Sequence, residues 1–202
     1  PAELSRCTFN PQLERHVIDR VSPPHAVFEG GEILPGGIDG ASYYRQEDSN
    51  GIRIREITSP QEFTISLWIR PGVSNTTAGN DFRHLVRAEG ENFLIQEEDG
   101  GISFRVPGVT DQNFVRGSAP AGSWTHVAVS YDGQIRRIYV NGSLVGEQGI
   151  GSGTVDWGDQ ITIAGGTGNH AFLGRLDEVR IFDRAIGSDR VRSLFVEGSS
   201  SS

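Results

Sequence analysis

The 202-residue sequence contains no lysine and no methionine, and Cys7 is its only cysteine. A single cysteine excludes an internal disulfide, so a hydrophobic core has to hold the fold together. No apolar run approaches the about 18 residues of a membrane-spanning helix, so we expect no membrane insertion. The formal net charge of -8, from 18 basic and 26 acidic residues, argues against a nucleic-acid partner, because phosphate binding needs a basic face.

The sequence is instead rich in glycine, with 27 residues, and in short runs that alternate apolar and polar side chains. Phe63, Ile65, Leu67 and Ile69 alternate with polar or mixed positions, and Ile52 and Ile54 do the same. A period of two is typical of a strand with one face in the core. Turn residues recur about every ten residues, so we predict an all-β, two-sheet antiparallel sandwich or jelly roll of roughly 11–13 short strands.

The segment Trp124–Val145 predicts an antiparallel meander. Two apolar runs in it are followed by Asp132-Gly133 and Asn141-Gly142. Both dipeptides favour two-residue hairpins of type I′, in which both central residues take positive φ. One short C-terminal helix is predicted from Ser188, as its N-cap, to about Phe195, because apolar residues there fall at helical spacing.

The composition divides the chain into three parts. Residues 41–197 form the main domain, and the polar, proline-broken residues 1–40 wrap it, with one edge strand around Ala26–Phe28. Residues 198–202, one glycine and four serines, are expected to begin a flexible linker or tail. The chain starts at Pro1 without any methionine, so we expect it to be a piece of a longer, processed protein.

Four segments resemble the motifs of laminin-G-like jelly-roll domains in the concanavalin A-like lectin/glucanase superfamily, and they occur in the family's order. They are Phe63–Pro71 (FTISLWIRP), Trp124–Gly133 (WTHVAVSYDG), Ile138–Gly142 (IYVNG) and Phe172–Phe182 (FLGRLDEVRIF), the last followed by Arg184-Ala185-Ile186. The resemblance implies two stacked, curved sheets, one face concave and the other convex.

The resemblance also implies a secreted or cell-surface setting and a role in carbohydrate binding, in adhesion or as a spacer. A carbohydrate or cell-surface glycan is the expected partner, and a protein partner stays open as the alternative. Related glycoside hydrolases need two carboxylates on one face of a strand. The nearest acidic cluster, Glu97-Glu98-Asp99, is adjacent rather than alternating, so we expect a non-catalytic module rather than a hydrolase or lyase.

Calcium is the expected cofactor, because the aspartate that matches Asp177 in related jelly rolls binds a structural calcium ion. Hard oxygen ligands suit this ion. The resemblance places the partner ligands in the N-terminal strand and loop, where Asp48 is the candidate. As an alternative, Asp177 caps a turn or pairs with Arg175 or Arg180.

A sugar site is predicted around Trp157, which lies in the polar turn Asp156-Trp157-Gly158-Asp159. An exposed aromatic ring can stack on a sugar, and polar neighbours can bind its hydroxyls. Asp156, Asn169 and His170 are the predicted neighbours, because their loops flank the strand Ile161–Ala164. As an alternative, Trp157 folds onto the sandwich as a loop anchor and His170 is a solvated loop residue.

Overall fold

A computed structural model describes residues 3–9, 17–19, 26–45, 51–55, 57, 59–72, 82–88, 91–97, 100–109, 115–149, 153–165 and 170–200. These residues contain sixteen strands and one helix. They are β1 (Glu3–Phe9), β2 (Val17–Asp19), β3 (Ala26–Phe28), β4 (Glu32–Asp39), β5 (Ala41–Arg45), β6 (Ile52–Arg55), β7 (Phe63–Pro71), β8 (Phe82–Ala88), β9 (Glu91–Glu97), β10 (Gly101–Phe104), β11 (Val115–Ser118), β12 (Thr125–Tyr131), β13 (Ile135–Val140), β14 (Ser143–Gly149), β15 (Gln160–Ile163), β16 (Gly174–Phe182) and α1 (Ser188–Ser199).

The strands form two antiparallel sheets, as predicted. The nine-stranded sheet has the order β14-β13-β12-β7-β16-β1-β2, and β4 and β5 join it through β16. The seven-stranded sheet has the order β11-β10-β9-β8-β15-β6-β3. Strands that are distant in sequence therefore lie side by side, most clearly β15 between β6 and β8.

The core lies between the sheets and is centred on aromatic rings. Phe63 of β7 packs edge-on against Phe93 of β9, with their ring centroids 5.3 Å apart, and against Phe104 of β10 at 6.2 Å. The inward residues of β6 and β15, such as Ile54 and Ile161, are also buried there. Period-two alternation explains this core, because every second side chain of each strand points into it.

The first forty residues contain more regular structure than predicted. The expected edge strand is confirmed, since β3 lies at the edge of the seven-stranded sheet. However, β1 pairs with both β16 and β2 inside the nine-stranded sheet, and β4 includes Pro35. β1 is held by pairing with the distant β16, and β4 contains Pro35 followed by Gly36 and Gly37, so local alternation does not reveal either strand.

One of the two predicted hairpins has the expected turn. Asn141 and Gly142 have φ of +49° and +75°, as a type I′ turn requires. The other connection spans Asp132 to Gln134, and only Gly133 takes positive φ, at +88°. The type I′ prediction for Asp132-Gly133 is wrong, because the Asp132 carboxylate accepts hydrogen bonds from the backbone N–H groups of Gln134 and Ile135 and stabilises a longer turn.

Helix α1 covers part of the outer face of the nine-stranded sheet. Val191 and Leu194 pack there against a second apolar cluster that includes Ala128, Tyr139 and Phe182. Phe195 stacks on Trp68 with centroids 5.6 Å apart. In the part of the chain that the structure describes, no helix has the length and hydrophobicity of a membrane span.

Both predicted ends of the helix need correction. Gly187, not Ser188, is the N-cap, and no side chain caps it. The helix continues past Phe195 to Ser199, and Gly198 lies directly on Trp68, where a Cβ atom would come within 2.4 Å of the indole Nε1. The Ser199 hydroxyl also donates a hydrogen bond to the Phe195 carbonyl.

His126 is buried on this outer sheet face, 6.0 Å from the Phe195 ring. Its Nε2 lies 2.9 Å from the Ser66 hydroxyl, and its backbone N–H donates to the Asn141 side chain. Burial, together with the charge of Arg180, lowers the pKa of His126 to about 4. The imidazole is therefore neutral in the folded protein near pH 7.

This histidine is expected to make the fold acid-sensitive. Between pH 6.5 and about 4 the unfolded chain protonates this side chain and the folded one does not, so stability falls as the pH falls. His126→Gln should remove about 2–3 kcal/mol of the stability difference between pH 7 and pH 4.5, measured by urea unfolding. Equal pH dependence in the variant and the wild type would contradict the assignment.

Candidate functional site

Trp157 is fully buried, so the prediction that it forms an exposed platform is wrong. Its ring lies in the aromatic core, 5.1 Å from Phe63 and 5.5 Å from Phe93. The backbone N–H of Trp157 donates a 2.7 Å hydrogen bond to the Ser59 hydroxyl, which fixes the turn against the loop before β7. The structure therefore supports the alternative in which Trp157 anchors its loop.

Asp156 and His170, the described neighbours in the predicted sugar site, do not surround this tryptophan. Asp156 is exposed, and its carboxylate accepts a hydrogen bond from the Gly158 N–H within the same turn. His170 stacks on Phe82, with centroids 4.7 Å apart, at the outer side of the seven-stranded sheet. Asn169 lies outside the described residues. Trp157 and His170 thus point to different sides of this sheet and do not form one wall.

Asp177 is buried where β16 approaches the end of β4. Its Oδ2 accepts hydrogen bonds from the backbone N–H groups of Ile38 and Asp39, at 2.8 and 3.1 Å. Its Oδ1 accepts one from the N–H of Glu178, at 2.8 Å. Burial raises the pKa of Asp177 to about 7, although the three N–H groups oppose this rise. The carboxylate therefore joins β16 to β4.

The described residues around Asp177 place backbone N–H groups at its carboxylate rather than further oxygen ligands. N–H groups point at both carboxylate oxygens, whereas calcium requires additional oxygen ligands around the ion. Among the described residues, no group of three or more metal-ligating side chains is present. Asp48, the predicted second ligand, lies outside those residues, so calcium binding stays a prediction.

The residues after Asp177 form a bulge with its own ion pairs. The pairing register of β16 with β7 shifts between Asp177 and Arg180, and Glu178 takes a φ of +49°. This conformation is costly for a side chain with a Cβ atom, and the hydrogen bond to Asp177 helps to stabilise it. Arg180 then pairs with Glu178 at 2.6 Å and with Glu197 of α1 at 3.2 Å. The predicted alternative pairing of Asp177 with Arg175 or Arg180 is not observed; Arg175 donates to the Pro35 carbonyl.

The outer face of the seven-stranded sheet carries a different set of side chains. Strand pairing aligns Arg53, Thr162 and Arg87 across β6, β15 and β8. It aligns His84, Ile95, Ser103 and Arg116 across β8 to β11. We call this surface the polar face. Its described members are Arg53, Arg55, Phe82, His84, Arg87, Ile95, Glu97, Ser103, Arg105, Arg116, Gln160 and Thr162.

One end of the polar face has an aromatic and imidazole cluster. The His84 ring lies edge-on to Phe82 at 5.4 Å and 6.2 Å from the His170 ring. Burial, with the charges of Arg87 and His170, lowers the pKa of His84 to about 4. His84 is therefore neutral near pH 7, and the half-buried Phe82 and His170 rings form a stacked pair beside it.

Sequence reasoning missed this face, although part of its signal is local. Arg53 and Arg55 alternate with Ile52 and Ile54, so the sequence of β6 alone predicts that these two arginines point outward. The acidic run also reaches this face, since the Glu97 carboxylate accepts a hydrogen bond from Ser103 and lies 3.4 Å from Arg116. Glu98 and Asp99 lie outside the described residues.

Solved structures share this fold. The binding domain of Paraclostridial Mosquitocidal Protein 1 matches with a TM-score of 0.73 and 18% identity, over 96% of this chain and 52% of that one. The binding domain of Botulinum Neurotoxin DC, solved in complex with SialylT, matches with a TM-score of 0.74 and 13% identity, over 98% of this chain and 52% of that one. This chain therefore spans about half the length of these toxin domains.

Domain 4 of AbnA, a GH43 extracellular arabinanase from Geobacillus stearothermophilus, was solved in complex with arabinotriose. It matches with a TM-score of 0.67 and 22% identity, over 95% of this chain and 97% of that domain. A search of curated protein sequences finds no significant match. A laminin G family model, described as the concanavalin A-like lectin/glucanases superfamily, matches residues 45–192, and the chain belongs to this family.

Proposed function

We propose that this chain is a non-catalytic carbohydrate-binding module of a larger extracellular protein, and that the polar face is its sugar site. The single observation that carries the proposal is the composition of this face. A half-buried aromatic pair, Phe82 and His170, lies at one end of outward side chains that donate and accept hydrogen bonds. Sugar recognition combines ring stacking with hydrogen bonds to hydroxyls.

The two outer sheet faces differ in a way that supports this choice. The face of the nine-stranded sheet buries apolar and ionic side chains under α1, including Phe182 and the Arg180 pair with Glu197. On the seven-stranded sheet, Thr162, Arg87 and Arg116 are half-buried or exposed. Among the described residues, these side chains therefore remain at least partly accessible to a ligand.

The fold comparison adds support for a sugar ligand. Domain 4 of the arabinanase is matched over nearly its whole length and was solved with arabinotriose. At 22% identity this likeness concerns the fold, so it suggests a probe and does not identify the ligand. Its parent enzyme is extracellular, which agrees with the setting proposed here.

A blocking substitution tests the site. Affinity electrophoresis in gels that contain arabinan, dextran or polygalacturonate should show retardation of the wild type by at least one polymer. Thr162→Tyr adds a bulky side chain at the centre of the polar face and should weaken binding about tenfold or more. Ser143→Tyr adds the same group at an exposed position of β14 and should bind as the wild type does.

Three results would contradict this proposal or a part of it. Absence of binding to every polymer would favour a structural or protein-interaction domain. Binding by Thr162→Tyr as tight as that of the wild type would show that the sugar site lies outside the polar face. Release of reducing sugar from any of the polymers would contradict its non-catalytic part.

A further inference from the structure

Two histidines lie side by side at one end of the polar face. The ring centroid of His84, in β8, is 6.2 Å from that of His170, and the two ring planes meet at 62°. An isolated bridge between His84 and Ala171 joins β8 to the segment that carries His170. The Arg83 guanidinium also donates a 3.0 Å hydrogen bond to the Ala171 carbonyl. The backbone on both sides therefore fixes the two imidazoles next to each other.

His84 has a buried ring nitrogen without a partner. The residue is only 6% exposed, and its Nδ1 forms no hydrogen bond in the part of the chain that the structure describes. Buried polar atoms normally have a hydrogen-bond partner, so an exception requires an explanation. With its proton on Nε2, His84 presents the lone pair of Nδ1, and a ligand that accepts this lone pair explains the exception.

His170 is held in the orientation of a metal-binding histidine. Its Nδ1 lies 3.3 Å from the Phe82 carbonyl oxygen. Because a carbonyl only accepts, this contact places the proton on Nδ1 and leaves the lone pair on Nε2. Histidines that bind metals commonly donate the other ring N–H to a backbone carbonyl, which orients the ring and makes the binding nitrogen more basic. Stacking on the Phe82 ring at 4.7 Å orients the imidazole further.

We propose that His84 and His170 bind a divalent transition metal ion such as Zn²⁺ or Cu²⁺. Imidazole nitrogens suit both ions. A nitrogen binds zinc at about 2.0–2.1 Å and lies about 1.1 Å from its ring centre, so two imidazoles on one ion have centroids at most about 6.4 Å apart. The observed 6.2 Å meets this limit. A tetrahedral angle at the ion corresponds to about 5.2 Å, so binding draws the rings together by about 1 Å.

The remaining coordination positions fall to water. Among the residues that the structure describes, no third metal-ligating side chain joins the pair. His170 is half-buried, so the ion reaches the site from its side. Structural zinc sites have four protein ligands, whereas this pair supplies two, so we expect an exchangeable ion that the fold does not require. Calcium and magnesium prefer oxygen ligands and should not bind here.

This site is separate from the carboxylate of Asp177. Asp177 belongs to β16 in the nine-stranded sheet, whereas His84 belongs to the seven-stranded sheet. The inference also goes beyond the proposed sugar-binding function and does not rest on it, although His170 belongs to the aromatic pair of the polar face. A transition metal at the histidines and calcium at Asp177 are therefore two independent questions.

Isothermal titration calorimetry of the chelator-treated protein, without carbohydrate, tests the site. The wild type should bind one ion per chain through this pair, and Cu²⁺ more tightly than Zn²⁺, following the general order of divalent metal affinities. A large excess of Ca²⁺ should leave the Zn²⁺ affinity unchanged. Electron paramagnetic resonance of the Cu²⁺ complex should show coupling to the nitrogens of two imidazoles.

Histidine variants assign the binding to this pair. His84→Gln and His170→Gln each remove one ligand and should weaken Zn²⁺ binding about tenfold or more. His126→Gln is the matched control, because its Nδ1 is also buried without a partner, but the described rings beside it are Trp68 and Phe195 rather than an imidazole. It should keep the wild-type affinity within about twofold.

A second control covers the histidines outside the described residues. His16→Gln combined with His25→Gln should also bind Zn²⁺ as the wild type does, and melting temperatures should show which variants fold. His170→Gln decides the question even if His84→Gln does not fold, because His170 is half-buried. Wild-type affinity in His170→Gln, loss of binding in the His16 and His25 variant, or no binding of Zn²⁺ or Cu²⁺ to the wild type would overturn the proposal. None of these results bears on the sugar-binding proposal, since no carbohydrate is present.

Discussion

Replacing Trp157 with alanine is expected to lower the free energy of unfolding by about 3–5 kcal/mol. The indole ring is fully buried between the sheets, in contact distance of Phe63 and Phe93. Its removal loses the transfer energy of a large apolar side chain and leaves a cavity in a core formed by strands of both sheets. Urea unfolding followed by far-ultraviolet circular dichroism measures the effect without depending on tryptophan fluorescence.

Two further variants show whether burial is the cause. Trp157→Phe keeps an aromatic ring and removes the indole Nε1, which has no hydrogen-bond partner among the described residues, so it should lose less than half as much stability. Leu144→Ala removes apolar volume from a side chain that is 44% exposed and should cost about 1 kcal/mol or less. A Trp157→Ala variant as stable as the wild type would contradict the burial of this ring and support its role as an exposed platform.

The wrong prediction for Trp157 shows that the residues next to a side chain in sequence do not determine whether it is buried. Its neighbours Asp156, Gly158 and Asp159 are polar turn residues, and such a context favours an exposed side chain. The ring instead packs against Phe63 and Phe93, and the backbone N–H of Trp157 donates a hydrogen bond to Ser59, which is 98 residues earlier in the chain. No pattern within the turn carries information about that contact.

The strands themselves were predictable where each has an alternating pattern of its own. The prediction from Phe63 to Ile69 is confirmed by β7, and the run after Trp124 by β12, because both combine β-branched residues with a period of two. The polar face was only partly predictable. Arg53 and Arg87 belong to one row because β15 lies between β6 and β8, and this sheet order depends on contacts across about a hundred residues.

Replacing Asp177 with alanine is expected to cost about 3–5 kcal/mol at pH 5. The substitution leaves the backbone N–H groups of Ile38, Asp39 and Glu178 without their acceptor, and two of these groups are buried. It also removes the bond that supports the positive φ of Glu178. Asp39→Ala is the matched control, because it deletes an exposed carboxylate and retains the N–H group, and it should change stability by about 0.5 kcal/mol or less.

The cost of Asp177→Ala should depend on pH in a defined direction. The pKa of Asp177 is raised to about 7, so between about pH 4 and pH 7 the folded protein holds a proton that the unfolded chain has released. The contribution of Asp177 to stability is therefore full at low pH and is lost as the pH rises through 7. The loss caused by Asp177→Ala should consequently be smaller at pH 8 than at pH 5, by about 2–3 kcal/mol.

Asp177→Asn and a calcium chelator distinguish two roles of Asp177, as an acceptor of backbone hydrogen bonds and as a calcium ligand. Asparagine can still accept the bonds from Ile38 and Asp39, but its amide NH₂ faces the Glu178 N–H, so it should cost about 1–3 kcal/mol and abolish the Asp177 pH dependence. If the carboxylate acts only as an acceptor of N–H bonds, these losses are the same with calcium and with chelator. If it binds calcium, as its family resemblance predicts, calcium at about 100 times its Kd adds about 2.7 kcal/mol to the wild type and nothing to Asp177→Ala. The melting temperatures of both proteins in calcium and in chelator therefore decide between an anchor made of backbone bonds and a metal site.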